Sequence, residues 1–387
     1  ALAAGLPQLR DDLWRYADIK FLASAALAPV PAGAPGALEL EVAPLLPPRL
    51  AGYTRLVFAD GRLLAALSDP CAALDTATPP LVPERTRHER FGWLNDAFAT
   101  DVARLNVRAD LRLELLFIAT LGNGRQAVYP RLEVQLAANT DMELVERHLG
   151  STGHEGLVNS AVQVYAGAGS RVRHLRWQQL GDDAQHIDTT QIALDRDAQY
   201  QLALLQVGAR ASRTSLRASL FGAGSSFTLR GVAVAGDKRT LDHSLLVDHV
   251  GAGTTSSQVF RAIARDHARI ACRSRVEVGA RARGASADQS LKGLLATLGA
   301  EIDLRPQLEI LTDEVRASHG ATTGALDENM RFYLLSRGLD AGTARALLEW
   351  AFLEDAIAGM QPAALRGAVE QSLAAGLGNA VAQQVLQ

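Results

Sequence analysis

The strongest constraint on what this chain can fold into is a small turn that keeps returning. Gly167-Ala168-Gly169-Ser170, Asp195-Arg196-Asp197-Ala198, Gly222-Ala223-Gly224-Ser225 and Gly251-Ala252-Gly253-Thr254 each precede an alternating apolar/polar segment. They recur about every 27 residues, a period that marks a solenoid, in which each coil buries its apolar interior only by stacking on the next. Between residue 107 and residue 324 the chain reads as strand after strand, among them LRLELLFIA, RVRHLRWQQL, YQLALLQVG and SFTLRGVAVAG. A β-sandwich would leave the regular spacing unexplained. A doubly wound α/β fold would need helices between the strands, and the pattern has none. The expectation is a mainly β chain with a β-helix-like solenoid core over 107–324.

The flanks differ. Residues 1–106 read as a mixed α/β region, with Pro44–Pro48 and Pro79–Pro83 as connectors. Within it, RLVFADGRLLAALSD reads as two short strands across an Asp60-Gly61 turn. Phe91, Leu94, Phe98, Val102 and Leu105 have helical spacing. Residues 325–387 read as a helical domain. One helix runs from Asp327 to Arg337. A second starts at Asp340, with Leu347, Leu348, Ala351, Phe352 and Ala356 on one face, and a third runs from Pro362 through Leu365, Val369 and Leu373. These helices are expected to close the open end of the solenoid, which would otherwise present an unpaired strand edge.

The run from Pro306 to Gly338 carries the chemistry. Leu308, Ile310 and Thr312 alternate with Glu309, Leu311 and Asp313, so it opens as a strand. Gly320 and Gly324 are expected to break that strand into a Ser-His-Gly turn. Asp327 can cap a helix with Met330, Tyr333 and Leu334 on its apolar face, and Gly338 can end it. By its residues alone His319 reads first as a histidine that orders the turn at Gly320.

This run resembles the SufD family of iron–sulfur cluster assembly proteins, whose pattern reads P-Q-L-E-I-x-x-D-D-V-x-C-S-H-G-A-T-x-G and then F-Y-L-x-S-R-G. Pro306 to Ile310, Asp313, Val315, Ser318 to Thr322 and Gly324 fit it, as do Phe332, Tyr333, Leu334, Ser336, Arg337 and Gly338. Glu314 replaces the second aspartate, and Ala317 stands where the pattern has cysteine. Weaker echoes lie at Trp14-Arg15-Tyr16, at Leu56 to Gly61 and at Asp248-His249. The resemblance implies a right-handed parallel β-helix and a non-enzymatic scaffold subunit. It implies pairing with SufB and docking of the ATPase SufC on the C-terminal helices, with Phe332, Tyr333, Leu334 and Arg337 as candidate contacts. It implies that His319 helps form a transient iron–sulfur cluster shared with SufB. A homodimer of the isolated chain is a further expectation.

Composition narrows the alternatives. A net charge of -3 with only short basic stretches gives no reason to expect nucleic-acid binding. Two cysteines, Cys71 and Cys272, form neither a disulfide framework nor a CxxC, which suits a reducing, cytoplasmic setting. Cys272 reads as a small buried hydrophobe and Cys71 as a loop residue, so a cluster needs ligands from another subunit. No run is long enough for a membrane-spanning helix, and no charged-then-apolar leader opens the chain. Walker A, GxSxG and HExxH are missing from the sequence. His243 and His249 sit on one strand face but about 20 Å apart, too far to share a metal unless the chain turns between them, and read as polar residues of a solvated face or an assembly surface. The rival reading is a carbohydrate-active β-solenoid enzyme. It would need carboxylates clustered on one solenoid face.

Overall fold

The computed structural model describes residues 5, 7, 11, 14–19, 21, 27–30, 36–75, 89–121, 126–150, 153, 155–362 and 365–376. Pro79–Pro83 lie outside them. The strands are β1 (Ala28–Pro29), β2 (Thr54–Ala59), β3 (Arg62–Leu63), β4 (Val102–Val107), β5 (Leu111–Ala119), β6 (Gln126–Val128), β7 (Arg131–Leu136), β8 (Asp141–Gly150), β9 (Gly156–Ala166) and β10 (Arg171–Gln179). They continue as β11 (Ala184–Leu194), β12 (Gln199–Gln206), β13 (Ala211–Leu220), β14 (Ser226–Ala235), β15 (Thr240–His249), β16 (Thr255–Ala264), β17 (Arg269–Val278), β18 (Ala285–Leu295), β19 (Glu301–Ile310) and β20 (Val315–Ala325). The helices are α1 (Ala37–Val42), α2 (Arg90–Phe98), α3 (Glu328–Ser336), α4 (Ala341–Ile357) and α5 (Arg366–Gly376).

From β8 onward, successive strands alternate between two sheets. One sheet runs β8-β10-β12-β14-β16-β18-β20 and the other β9-β11-β13-β15-β17-β19, every pairing parallel. This is a parallel β-solenoid, as the turn period predicts. Its sheets already include β2 and β4, N-terminal to residue 107. β2 and β3 form the expected hairpin, with Asp60 and Gly61 both at positive φ, as a tight hairpin turn needs. The helical spacing after Arg90 holds only to Phe98; Val102 and Leu105 belong to β4, where pairing with β7 overrides it.

The recurring turns stack into a ladder of their own. Asn139 N–H donates to Ala168 O, Gly169 to Arg196, Asp197 to Ala223, Gly224 to Ala252, Gly253 to Arg283 and Gly284 to Glu314, at 2.7–2.9 Å. Each of these donors has positive φ, which explains why Gly, Asn and Asp fill the position. A Cβ on Gly169 would lie 2.4 Å from Asn139 Oδ1, and one on Gly224 would lie 2.3 Å from Asp197 Oδ1. Gly169 and Gly224 therefore each lie under the side chain of the preceding ladder residue, whereas a Cβ on Gly253 would meet nothing within 4 Å.

Inside the solenoid, inward positions of both sheets build one core, including Leu216, Leu245, Phe227, Phe260, Ile270 and Cys272. Part of the interior is polar, and alternation alone could not reveal it. Glu146, His148, His174, Arg176, Asp188 and His186 are all buried. Arg176 reaches Asp188 at 2.6 Å and Glu146 at 3.1 Å, and Glu146 meets His148 at 2.5 Å and His174 at 3.1 Å. Burial pushes Glu146 up, but Arg176 and the two histidine contacts outweigh it and hold the carboxyl well below its ordinary range. Burial lowers His174 and His186.

His243 and His249 are not on a solvated face. Both are inward and fully buried, because the strand alternation at β15 points them into the core with Leu241, Leu245 and Val247. His243 packs edge-on against Phe260 at 4.8 Å, and His249 bonds Thr254 and Ser256, each at 2.8 Å.

The C-terminal helices do not close the end of the solenoid. α4 packs on the outer flank of β14 and β16, and α5 on β14. The reason is an apolar stripe on that flank: Trp177, Leu205, Val232, Val234 and Ile263 need cover, and Leu353, Ile357, Val369 and Leu373 supply it. Arg261–Asp355 and Arg265–Glu349 ion pairs fasten α4 there. The buried residues of α4 include Thr343, Ala346, Glu349, Leu353 and Ala356; of the expected face, Ala356 is buried, Leu347, Leu348 and Phe352 are half-buried and Ala351 is exposed.

Candidate functional site

With the helices on the flank, β19 and β20 form an uncovered end. Ile302, Leu304, Leu308 and Val315 pack only partly against the core, Ile310 and Leu311 are exposed, and nearly all of β20 is exposed. Parallel pairing saturates one edge of β20 against β18 and leaves the other edge unpaired among the described residues.

His319 sits in the middle of this last strand. It is not in a turn: β20 runs straight through Gly320 and Gly324, because in-register pairing with Ser290 and Leu294 holds both as strand residues. His319 pairs with Gln289 of β18, which pairs with Gln258 of β16. The three residues therefore occupy one inward-facing column, of which His319 is the exposed last member. Ala317 lies two residues away on the same face, opposite Ala287, where the family pattern would place a thiol. Next to His319, on the other face, Ser318 Oγ donates to Asp288.

Beneath His319 lies a polar layer that the sequence reading missed. Gln258, Gln289 and Ser274 are buried. Gln289 Nε2 donates to Ser274 O at 2.9 Å and to its Oγ at 2.8 Å, and Ser274 Oγ donates to Gln258 Oε1 at 2.7 Å. The signal was in the sequence: two glutamines at inward positions whose neighbours on the same face are Phe260, Ala262, Ala287 and Leu291.

The remaining candidates fall in two places. Cys272 is buried in the core, and burial, with Asp242 second, pushes its thiol up, so it is no exposed thiolate ligand. Cys71 is a half-buried loop residue. Among the described residues no group of three His, Cys, Asp or Glu side chains converges on a point that could hold a metal. A cluster at His319 would therefore need ligands from elsewhere.

Phe332, Tyr333, Leu334 and Arg337 gather on and just after α3. Asp327 caps the helix, accepting from Asn329 and Met330 N–H, and Gly338 follows it at φ 90°. No residue of α3 is buried; Phe332 is 72% exposed, Tyr333 50% and Met330 48%. Arg337 stacks on Tyr333, its guanidinium carbon 5.1 Å from the ring centre. Of the expected apolar face, Met330 and Tyr333 are exposed and Leu334 is half-buried.

The carboxylates on the outer face of the β9–β19 sheet are tied up. Asp242 pairs with Arg213, Asp248 with Arg217, Glu277 and Glu309 with Arg275, and Asp303 with Arg305. None stands as the free acid and base that glycoside hydrolysis uses. No helix among the described residues is long and apolar enough to cross a membrane.

Residues 117–352 match the family model described as SUF system FeS cluster assembly, SufBD core domain. The chain is 28% identical to an iron–sulfur cluster assembly SufBD family protein of Synechocystis, over 95% of this chain and 86% of that one. It is 25% identical to the iron–sulfur cluster assembly protein SufD of Escherichia coli, over 91% of this chain and 84% of that one. A SufBD family protein of Mycobacterium bovis is 27% identical, over 91% and 85%.

Proposed function

Since the chain belongs to the SufB/SufD family of the SUF iron–sulfur cluster assembly system, we propose that it is a non-enzymatic scaffold subunit of that system. It pairs through its open solenoid end with a SufB-like chain and docks a SufC-like ATPase on α3. The observation that carries this reading is the uncovered last rung, where His319 and a free strand edge are both presented. A free parallel edge recruits another strand by backbone hydrogen bonding, so a second β-solenoid can continue the sheet.

In this reading the growing cluster is cargo. His319 offers one imidazole nitrogen, a good iron ligand when neutral, and the partner supplies the thiolates that this chain lacks at Ala317 and keeps buried at Cys272. The exposed Phe332 and Tyr333 form an aromatic surface beside Arg337, the composition that binding hot spots favour.

The test is reconstitution of the full chain with a SufB-like chain and a SufC-like ATPase. Light scattering should find one complex, and His319→Ala should leave that complex intact while lowering its iron and sulfide content. Equal iron and sulfide in wild type and variant would remove the ligand role. Failure to bind the SufB-like chain would remove the pairing role.

A further inference from the structure

We propose that Gln289 is the positioning residue of His319: its side-chain carbonyl accepts the ring N–H that faces the solenoid interior, which leaves the other nitrogen unprotonated and directed outward. The iron-facing half of this inference rests on the scaffold reading above; the contact itself does not.

The orientation of the Gln289 amide is set by its partner. Its nitrogen donates to Ser274 O, which can only accept, so the two ends of the amide are distinguished. The oxygen end, Oε1, is buried and has no hydrogen-bond partner, on a residue only 1% exposed. A buried, unpaired acceptor is a rare thing in a folded protein and asks for a donor. The column offers two. Gln258 below has a buried Nε2 with no partner, and His319 above is the direct register neighbour. A carbonyl oxygen has two lone pairs and can accept from both.

Register neighbours on this solenoid do reach each other. Immediately beside the pair, Ser318 Oγ donates to Asp288, its own register partner. Deeper inside, His186 Nδ1 and its register partner Ser212 Oγ lie 3.3 Å apart, an imidazole contact of the kind inferred here. A neutral imidazole carries one N–H, so a partner for that N–H decides which nitrogen remains free as a ligand.

The experiment uses the full chain with isotope-labelled histidine and assigns His319 by its loss in His319→Ala. Ring-nitrogen shifts recorded at about pH 8 report the tautomer. The wild type should hold a single tautomer. Gln289→Met, which removes the acceptor, should fall back to the mixture of a free imidazole. A free-imidazole mixture in the wild type, or a tautomer that Gln289→Met leaves unchanged, overturns the proposal. If Gln289→Met does not fold, the wild-type spectrum decides alone. In the reconstituted complex Gln289→Met should weaken ferrous-ion binding by about 10- to 100-fold. A tautomer that depends on Gln289, combined with iron binding that ignores His319→Ala, supports the contact and sinks only the ligand role of His319.

Discussion

Acid should weaken this fold through its buried histidines, and His243 isolates the effect. The ring is fully buried, its Nδ1 lies 3.3 Å from Ala271 O, and Nε2 has no partner. Burial lowers its pKa from 6.5 to about 4. A depressed pKa means that the unfolded chain takes up a proton while the folded chain refuses it. The stability is complete above the unfolded value of 6.5 and drains away as pH falls toward 4. At pH 5 this one site removes about 2 kcal/mol of the stability present at pH 8, and below pH 4 about 3 kcal/mol. His243→Gln does not titrate and keeps a donor for the Ala271 carbonyl. Urea unfolding followed by tryptophan fluorescence at the two pH values should therefore show a smaller acid loss in the variant, by about 2 kcal/mol. His249, lowered to about 4 by burial as well, sits at the far end of β15, so the double variant should save about twice as much. An acid loss identical in wild type and His243→Gln would refute the buried, neutral assignment.

Other expectations follow from the same geometry. Phe332→Ala with Tyr333→Ala should change stability by less than about 0.5 kcal/mol, since both rings are exposed, yet weaken binding of a SufC-like ATPase by at least about tenfold in calorimetry. Gly224→Ala should cost about 1–2 kcal/mol for its left-handed backbone and also displace the Asp197 side chain; adding Asp197→Gly should recover only the second part in thermal melts. Arg176→Met should cost about 3–5 kcal/mol in urea unfolding, because Glu146 and Asp188 would remain buried without their cation.

The solenoid was legible because its turns demand particular residues. Positive φ at Gly169, Asp197, Gly224 and Gly253 admits few side chains, so the fold wrote its period into the sequence. His319 was legible only through its motif; its place on a strand was hidden because glycines signal breaks locally, whereas pairing with β18 holds Gly320 and Gly324 extended. Where the helices dock was hidden for a similar reason. An amphipathic face shows that a helix needs a partner surface, not which surface, and the stripe of Trp177, Leu205, Val232 and Ile263 is assembled from strands far apart in the chain. The buried polar layers at Glu146–Arg176–Asp188 and at Gln258–Gln289 escaped because alternation marks which residues face inward but not whether the interior can satisfy them.

Only Leu326 and Asp327 separate the end of β20 from the start of α3. Mechanically, that makes the two surfaces one linkage. A force applied to α3 has no slack to take up before it reaches the last rung, while the rungs behind it are clamped by in-register pairing and by the Arg261 and Arg265 fastenings of α4. The two-residue link thus ties the helix directly to the strand that carries His319, so that pulling on the helix loads that terminal strand.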